Sequence, residues 1–474
     1  MPRKSMLAAL PLAASLLASA ALADTHIKLS PDSGHPGLTV NLTGRGFGAS
    51  EPVDLYFDGT DVGTGTTLGN GNLRAQLTVP ANAAPGRHRV KVVGRTDGLS
   101  ARHKFIVQTD WPQTGFVAEG TRDNIYENVL SAANVSSLAQ AWTVDLGANS
   151  VSSPVVAGGV LYVTGSDQKL HAFDPATGAA LWTISTGSSL NAAPVVANGV
   201  IYVVASDGNL YAYQVPTGTL LWTATGVSAL ASPTVANGVV YVGSQNSAVF
   251  AFDAVTGATL WSVATRGQIA AVSPAVANGV VYIGASFEDF DVEGTYYALD
   301  AATGATLWTV TSEEFNDLSA GVANGVVYVG GDRHAFYAFN AATGAVQWTA
   351  ETGKVATAPA IADGVVYTGS EYRGLTRALD AFDATTGAQL WSVPLAKNVT
   401  VSAPAAANGV VYAGATDGNV YAFDAATGAK LWSAATGAFV SGVVVTDGMV
   451  FATSGNSTVY AFALNGGGAK TRKP

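Results

Sequence analysis

Trp142, Trp182, Trp222, Trp261, Trp308, Trp348, Trp391 and Trp432 follow one another at intervals of 40, 40, 39, 47, 40, 43 and 41 residues. A period near forty marks a repeat architecture, in which each unit is one supersecondary element that buries its apolar faces only against its neighbours. Seven of these tryptophans close a copy of A-x-D-x-x-T-G-x-x-x-W, beginning at Ala172, Ala212, Ala251, Ala298, Ala338, Ala381 and Ala422, with Gln214 and Asn340 in place of the aspartate in two copies. Upstream lies a two-residue turn between apolar runs: Gly158-Gly159, Asn198-Gly199, Asn237-Gly238, Asn278-Gly279, Asn324-Gly325, Asp363-Gly364, Asn408-Gly409 and Asp447-Gly448. Asn-Gly and Asp-Gly are strong hairpin signals because a type I′ turn requires positive φ at both central residues.

One repeat therefore holds an inner strand such as 192–196, the tight turn, a second strand over 200–205, a polar hairpin, a third strand over 210–213, the Thr-Gly turn and a fourth strand carrying the tryptophan. Four antiparallel strands in ~40 residues make a propeller blade. Proline begins most inner strands, at Pro154, Pro194, Pro233, Pro274, Pro359 and Pro404, which predicts an unpaired strand edge facing the central channel. The strand around Trp142 has no blade before it, and the last repeat, which ends in Val459, Tyr460, Ala461 and Phe462, has no tryptophan strand after it. Joining them gives eight complete blades and removes the exposed edges of an open array. The expected fold is all-β: an eight-bladed propeller over 139–465, its N-terminal strand closing the last blade, preceded by a small β-sandwich.

The motif resembles the tryptophan-docking motif of the pyrroloquinoline quinone (PQQ) family of eight-bladed propellers, over residues 111–463. The resemblance implies that each tryptophan ring lies between neighbouring blades against the peptide at the motif glycine, so that all eight are structural. The repeated Asp and Thr read as turn caps that bond nearby backbone amides. The same family includes alcohol and sugar dehydrogenases that hold the quinone over a calcium ion, and non-catalytic propellers, among them the outer-membrane assembly scaffold. Dehydrogenases of the alcohol type place an adjacent cysteine pair at the cofactor, and the lipid-anchored scaffold is tethered through a cysteine; this chain has no cysteine.

Residues 1–23 carry Arg3 and Lys4, an apolar run from Met6 to Leu22 and a small-x-small site at Ala21-Leu22-Ala23, the layout of a secretory signal peptide. The mature protein is then expected to be secreted or periplasmic. The apolar run is short for a bilayer span of ~20 residues, and no span or lipid anchor is expected elsewhere. Residues 24–108 alternate apolar and polar between turns at Pro36-Gly37, Asp58-Gly59 and Pro85-Gly86, which reads as a sandwich and resembles Ig-like or IPT-type modules. Its basic cluster Arg87, His88, Arg89, Lys91, Arg95, Arg102, His103 and Lys104 reads as a solvated strand face, because alternation along 87–92 puts the basic side chains opposite the apolar ones. Residues 109–138 are expected as a linker and 466–474 as a flexible basic tail.

Charge separates the two regions: residues 24–114 hold 9 basic and 8 acidic groups, residues 115–468 hold 9 basic and 25 acidic. An acidic total argues against nucleic-acid binding, which needs clustered cations. Within the propeller the acidity gathers where the repeat is broken. The longest interval carries Glu288, Asp289, Asp291 and Glu293; the next loop carries Glu313, Glu314, Asn316 and Asp317; neighbouring blades add Asp332, Arg333, His334, Lys354, Glu371, Tyr372, Arg373 and Arg377. Function in a repeat scaffold lives in such departures. These residues are the candidate contact surface of a non-catalytic binding or scaffold module, for a protein or small-molecule partner, with no cofactor and no catalytic residue assigned. The alternative is a PQQ- and calcium-dependent alcohol or sugar dehydrogenase of reduced form, with Asn316, Asp317 and Lys354 at the quinone. Most inner strands are entered through Ser-Ser-Pro, Ala-Ala-Pro, Ala-Ser-Pro or Ser-Ala-Pro, which offer little to a calcium ion that wants six to eight oxygens. His334 has only His171 for company in the propeller, without the spacing of a zinc site.

Overall fold

The computed structural model describes residues 25–464 except 191, 270–271, 287–293, 313–318, 332–333, 356, 373–375 and 397–398, with backbone alone at 334, 353–355, 371–372 and 376. The expected leader and basic tail lie outside these residues. The chain divides into two compact units, residues 1–107 and 108–474.

The first unit is built from two sheets. Three strands, His26–Ser30, Thr39–Arg45 and Leu73–Thr78, form one; Ser33–Gly34, Ser100–Val107, Gly86–Gly94, Pro52–Phe57 and Thr60–Thr66 form the other in that order. Period-two alternation puts Ile27, Leu29, Val40, Leu42, Val53, Leu55, Val90, Val92 and Phe105 into one shared core, as a half-buried strand requires. On the opposite face Arg89 stands across from Lys104, and Lys91 across from Arg102.

In the second unit seven sheets of four antiparallel strands follow one another; those of blades five and six are joined by a short pairing of Lys354 with Glu371 and Val355 with Ser370. Blade two, for example, is Val195–Ala197, Val200–Val204, Leu210–Gln214 and Thr219–Ala224. The eighth sheet joins Val440–Thr446, Met449–Ser454 and Thr458–Leu464 to Leu138–Asp145 from the start of the unit. All eight two-residue turns have positive φ at both positions, such as +51° and +74° at Asn198 and Gly199.

The motif alanine and its tryptophan are cross-strand partners in every blade, as in Ala251 with Trp261 and Ala298 with Trp308. The same register pairs Ala461 with Trp142 in the closing blade. These alanines are fully buried, so the methyl group is as large a side chain as the position holds. Among the described bonds, seven of the eight indoles, all but Trp182, donate to a carbonyl of the next blade. Trp261 Nε1 donates to Ala301 O at 3.0 Å, and Tyr241 from the same blade donates its hydroxyl to the same carbonyl at 3.1 Å. The pattern recurs at Ala254, Ala341, Ala384 and Ala425. A Cβ added at Gly344 would stand 2.8 Å from the Trp308 ring, so glycine here leaves room for the ring. Asp300 caps the turn before Gly304 by accepting from Ala302 N, Thr303 N and Thr303 Oγ1. The junction between blades one and two departs from the rest: Gln214-Val215-Pro216 replaces the usual turn, Gly218 faces Ile184 rather than a tryptophan, and the buried Tyr162 hydroxyl has no hydrogen-bond partner among the described residues.

The inner edges are not open, which corrects the expectation from proline. The middle residue of the short inner strand donates its N–H to the segment 111–122: Val156 to Trp111 O, Val196 to Pro112 O, Val276 to Ala118 O, Val322 to Glu119 O, Ile361 to Thr121 O and Ala406 to Arg122 O, at 2.7–2.9 Å. In blade three Val235 donates to Gln113 Oε1 at 3.3 Å, and in blade eight Val445 O accepts from Asn124 Nδ2 at 2.8 Å. The prolines fit this arrangement because each lies two residues before a donor, on the same side of the strand, and has no N–H to satisfy. Residues 109–124 therefore run across the channel and bond to all eight blades, so the expected linker is an integral part of the ring. Its remainder is also packed: Leu130, Val135 and Leu138 join the core with Trp111 and Phe116.

Candidate functional site in the central channel

A cavity of about 350 Å³ lies where the chain enters the inner strands, with the segment 113–122 on one side and residues from all eight blades around it. Its wall is small and apolar at Ala192, Ala193, Ala231, Pro233 and Pro274, with hydroxyls at Ser153, Ser232 and Ser441. A ring of short side chains is what leaves space at the centre of a closely packed propeller.

One charged side chain lines the cavity among the described residues, Arg122. It is 4% exposed. Its Nε donates to Pro404 O at 2.7 Å, Nη1 to Thr114 O at 2.7 Å and Nη2 to Ala403 O at 3.2 Å. Those carbonyls aim the guanidinium without neutralising it, and no carboxylate pairs with it among the described ion pairs. Burial pushes its pKa down to about 10, still protonated at neutral pH. Arg122 also sits at φ +51°, a left-handed conformation that costs about 1–2 kcal/mol for a residue with a Cβ. Gln113, 8% exposed, is fixed through its Oε1 by Val235 N, and its amide N–H groups have no acceptor among the described bonds. Both residues line the cavity, Gln113 anchored to blade three and Arg122 to blade seven.

On the turn side of the ring, Asp123 has its pKa raised to about 7, first by burial and then by the charge of Asp363. Asn124, fully buried, bridges Thr109 O and Val445 O through its amide nitrogen, both at 2.8 Å.

The charged sector expected from sequence falls elsewhere. Glu288, Asp289, Asp291, Glu293, Glu313, Glu314, Asn316, Asp317, Asp332, Arg333 and Arg373 lie outside the described residues. The backbone places His334 at the start of His334–Asn340. It pairs Lys354 with Glu371 where the outer strand of blade five meets the second strand of blade six. Arg377 donates to the Thr400 hydroxyl. His171, the other propeller histidine, bonds Asp167 at 2.9 Å.

A quinone held over calcium needs several charged oxygens around the metal. The described lining supplies hydroxyls and carbonyls but no carboxylate, and no grouping of three His, Cys, Asp or Glu among the described residues is placed to hold a metal ion. The residues the alternative assigns to that pair, Asn316 and Asp317, lie outside the described residues, shortly before the lining Ser319, and Lys354 is described by its backbone alone. Sequence reasoning missed Arg122; its one signal was isolation, as the only basic residue between Lys104 and Lys169.

A PQQ-type repeat family model described as outer membrane protein assembly factor BamB matches residues 127–232, 224–314, 292–391 and 377–469. A stretch of 100 residues, 21% of this chain, is 33% identical to quinohemoprotein alcohol dehydrogenase from Comamonas testosteroni and spans 14% of that protein. Among solved structures, BamB from Moraxella catarrhalis superposes with a TM-score of 0.59 at 20% identity, over 69% of this chain and 99% of that one. The Comamonas testosteroni dehydrogenase does so with a TM-score of 0.67 at 19% identity, over 77% of this chain and 82% of that one. At these identities the superpositions establish the propeller fold. No helix among the described residues is long and apolar enough to cross a membrane.

Proposed function

Since the chain belongs to the family described as outer membrane protein assembly factor BamB, we propose that it is a non-catalytic binding or scaffold propeller, secreted or periplasmic after removal of residues 1–23. The observation that carries this reading is the channel. Residues 109–124 bond across it to every blade, and its described lining holds a single, positive charge. The contact surface we assign is the charged loop sector of blades four to six, from Glu288 to Arg377, where the repeat pattern is broken. The eight tryptophans are structural, and the interblade bond from Trp308 Nε1 to Ala341 O at 2.9 Å supports that role. The unit before the ring serves as an Ig-like spacer or appendage.

The dehydrogenase alternative draws its support from the similarity to the Comamonas enzyme and would use Asn316, Asp317 and Lys354. Isothermal calorimetry separates the two. Titrating PQQ into the purified protein with calcium present gives no saturable heat on the binding-module reading. Stoichiometric binding that weakens in Asp317→Ala overturns it.

A further inference from the structure

We propose that the basic sheet face of the first unit, carried by the strands Gly86–Gly94 and Ser100–Val107, binds a linear acidic polysaccharide whose anionic groups lie along its two rows of cations. This goes beyond the spacer role given to that unit. It concerns the first unit alone, so its failure would leave the reading of the ring untouched.

The first ground is the arrangement of the cations. The two strands pair antiparallel, with Arg89 opposite Lys104 and Lys91 opposite Arg102. Residues two apart on a strand share a face, so Arg87 continues the row of Arg89 and Lys91. Arg87, Arg89, Arg102 and Lys104 are exposed and Lys91 is half-buried. Opposite charges across a pair of strands stabilise a sheet, whereas like charges directly opposite destabilise it. A merely solvated face is served as well by mixed charge. Two like-charged pairs side by side instead weaken the free fold in a way that a bound polyanion offsets.

The second ground is that the neutralising groups are engaged elsewhere. Residues 24–114 are nearly balanced, with 9 basic and 8 acidic groups. Yet Arg87, Arg89, Lys91, Arg102 and Lys104 line a concavity of about 600 Å³ with one carboxylate among them, Asp58. Asp58 accepts from Arg89 N at 2.7 Å and is bonded to His88 Nδ1 at 2.6 Å. Asp54 accepts from Arg95 Nε and Nη2, and Glu51 and Asp97 accept from backbone N–H groups. Arg89, Lys91, Arg102 and Lys104 enter none of the described ion pairs.

The third ground is shape. Alternate residues of a strand stand ~6.8 Å apart and neighbouring strands ~4.8 Å apart, so the cations form two parallel rows rather than a ring around one point. Rows of charge match a chain that repeats one acid group per sugar. Duplex DNA carries a charge every ~1.7 Å, denser than these rows, and single strands want aromatic platforms, of which the described face offers Tyr56 alone, beside Lys91. A bilayer fits less well, because membrane-surface binding draws on buried apolar area. The one exposed large hydrophobic side chain of the unit among the described residues, Leu68, borders a different concavity, with Lys28 and Arg74.

The test is calorimetry of the purified protein with polygalacturonate at about 0.15 M salt, against neutral dextran, duplex DNA and phosphatidylglycerol vesicles, with thermal unfolding of each variant. Saturable binding of polygalacturonate that weakens as salt is raised, with weaker binding of DNA and vesicles and none of dextran, is the expected result. The double variant Lys91→Gln, Lys104→Gln takes one cation from each opposed pair. It should weaken polygalacturonate about 10- to 100-fold, the worth of a hydrogen-bonded charge, and raise the Tm of the first unit. The double variant Lys28→Gln, Arg74→Gln removes the same charge from the other sheet and should leave the affinity unchanged. No binding of polygalacturonate, equal loss in the two double variants, a lower Tm in the first of them, or binding of DNA or vesicles as tight as that of polygalacturonate overturns the proposal.

Discussion

Replacing Gly344 by alanine probes the contact that repeats around the ring. Gly344 sits at φ +71°, and an ideal Cβ there would lie 2.8 Å from Cδ2 and Cε3 of Trp308. The left-handed backbone alone costs an alanine about 1–2 kcal/mol. The ring cannot retreat freely, because its Nε1 is bonded to Ala341 O at 2.9 Å; overpacking of this kind adds about 1–3 kcal/mol. Gly325 is the control: its φ is +76°, but an added Cβ meets nothing within 4 Å. Gly325→Ala therefore carries only the backbone cost, and the difference between the variants, about 1–3 kcal/mol, measures the ring contact. Urea unfolding followed by tryptophan fluorescence reads it as a shift in midpoint at constant m. Equal midpoint shifts in the two variants would refute the claim that the ring is seated on this glycine.

Three further outcomes follow from the same geometry. Tyr241→Phe, which removes a hydroxyl bonded to Ala301 O, should cost about 0.5–1.5 kcal/mol, whereas Tyr162→Phe, which removes a buried hydroxyl without a partner among the described residues, should be neutral or stabilising; the urea midpoints of the two variants give the comparison. Asp123 binds more protons folded than unfolded between its ordinary value near ~4 and about 7, so it lowers stability as pH rises through that window. Asp123→Asn should gain on the order of 2 kcal/mol at a pH above the folded value and nothing in acid, read from stability against pH. Asp253, Asp300 and Asp383 have depressed pKa values, chiefly through the hydroxyls of Thr256, Thr303 and Thr386. Their contribution is present above the unfolded value of about 4 and lost as pH falls through the folded values, so the triple Asp→Asn variant should be weaker than the parent at neutral pH and converge with it in strong acid.

The ring was legible because its signals are side chains with strict requirements. Positive φ at two successive residues selects Asn-Gly or Asp-Gly, a fully buried position opposite a tryptophan selects alanine, and the orphan Trp142 announces which strand closes the circle. The segment 109–124 was not legible because it acts through backbone carbonyls, which every residue carries. Nothing periodic or charged distinguishes Trp111, Pro112, Ala118 and Thr121 from a linker. The prolines of the inner strands were noticed for the right atom, the missing N–H, but the remaining donor two residues on has a partner from far along the chain. Arg122 was missed for a related reason: one cation in a segment without pattern reads as solvated, and only its burial against three carbonyls sets it apart. Charge density drew attention instead to Glu288 and its neighbours, most of which lie outside the described residues.

Whether the ring binds or catalyses is tested most directly by dye reduction. The purified protein is incubated with PQQ and calcium, and an artificial electron acceptor is followed across a panel of alcohols and sugars. A non-catalytic propeller gives no quinone-dependent reduction with any of them. Turnover that requires both PQQ and calcium, and that disappears in Asp317→Ala, would contradict it.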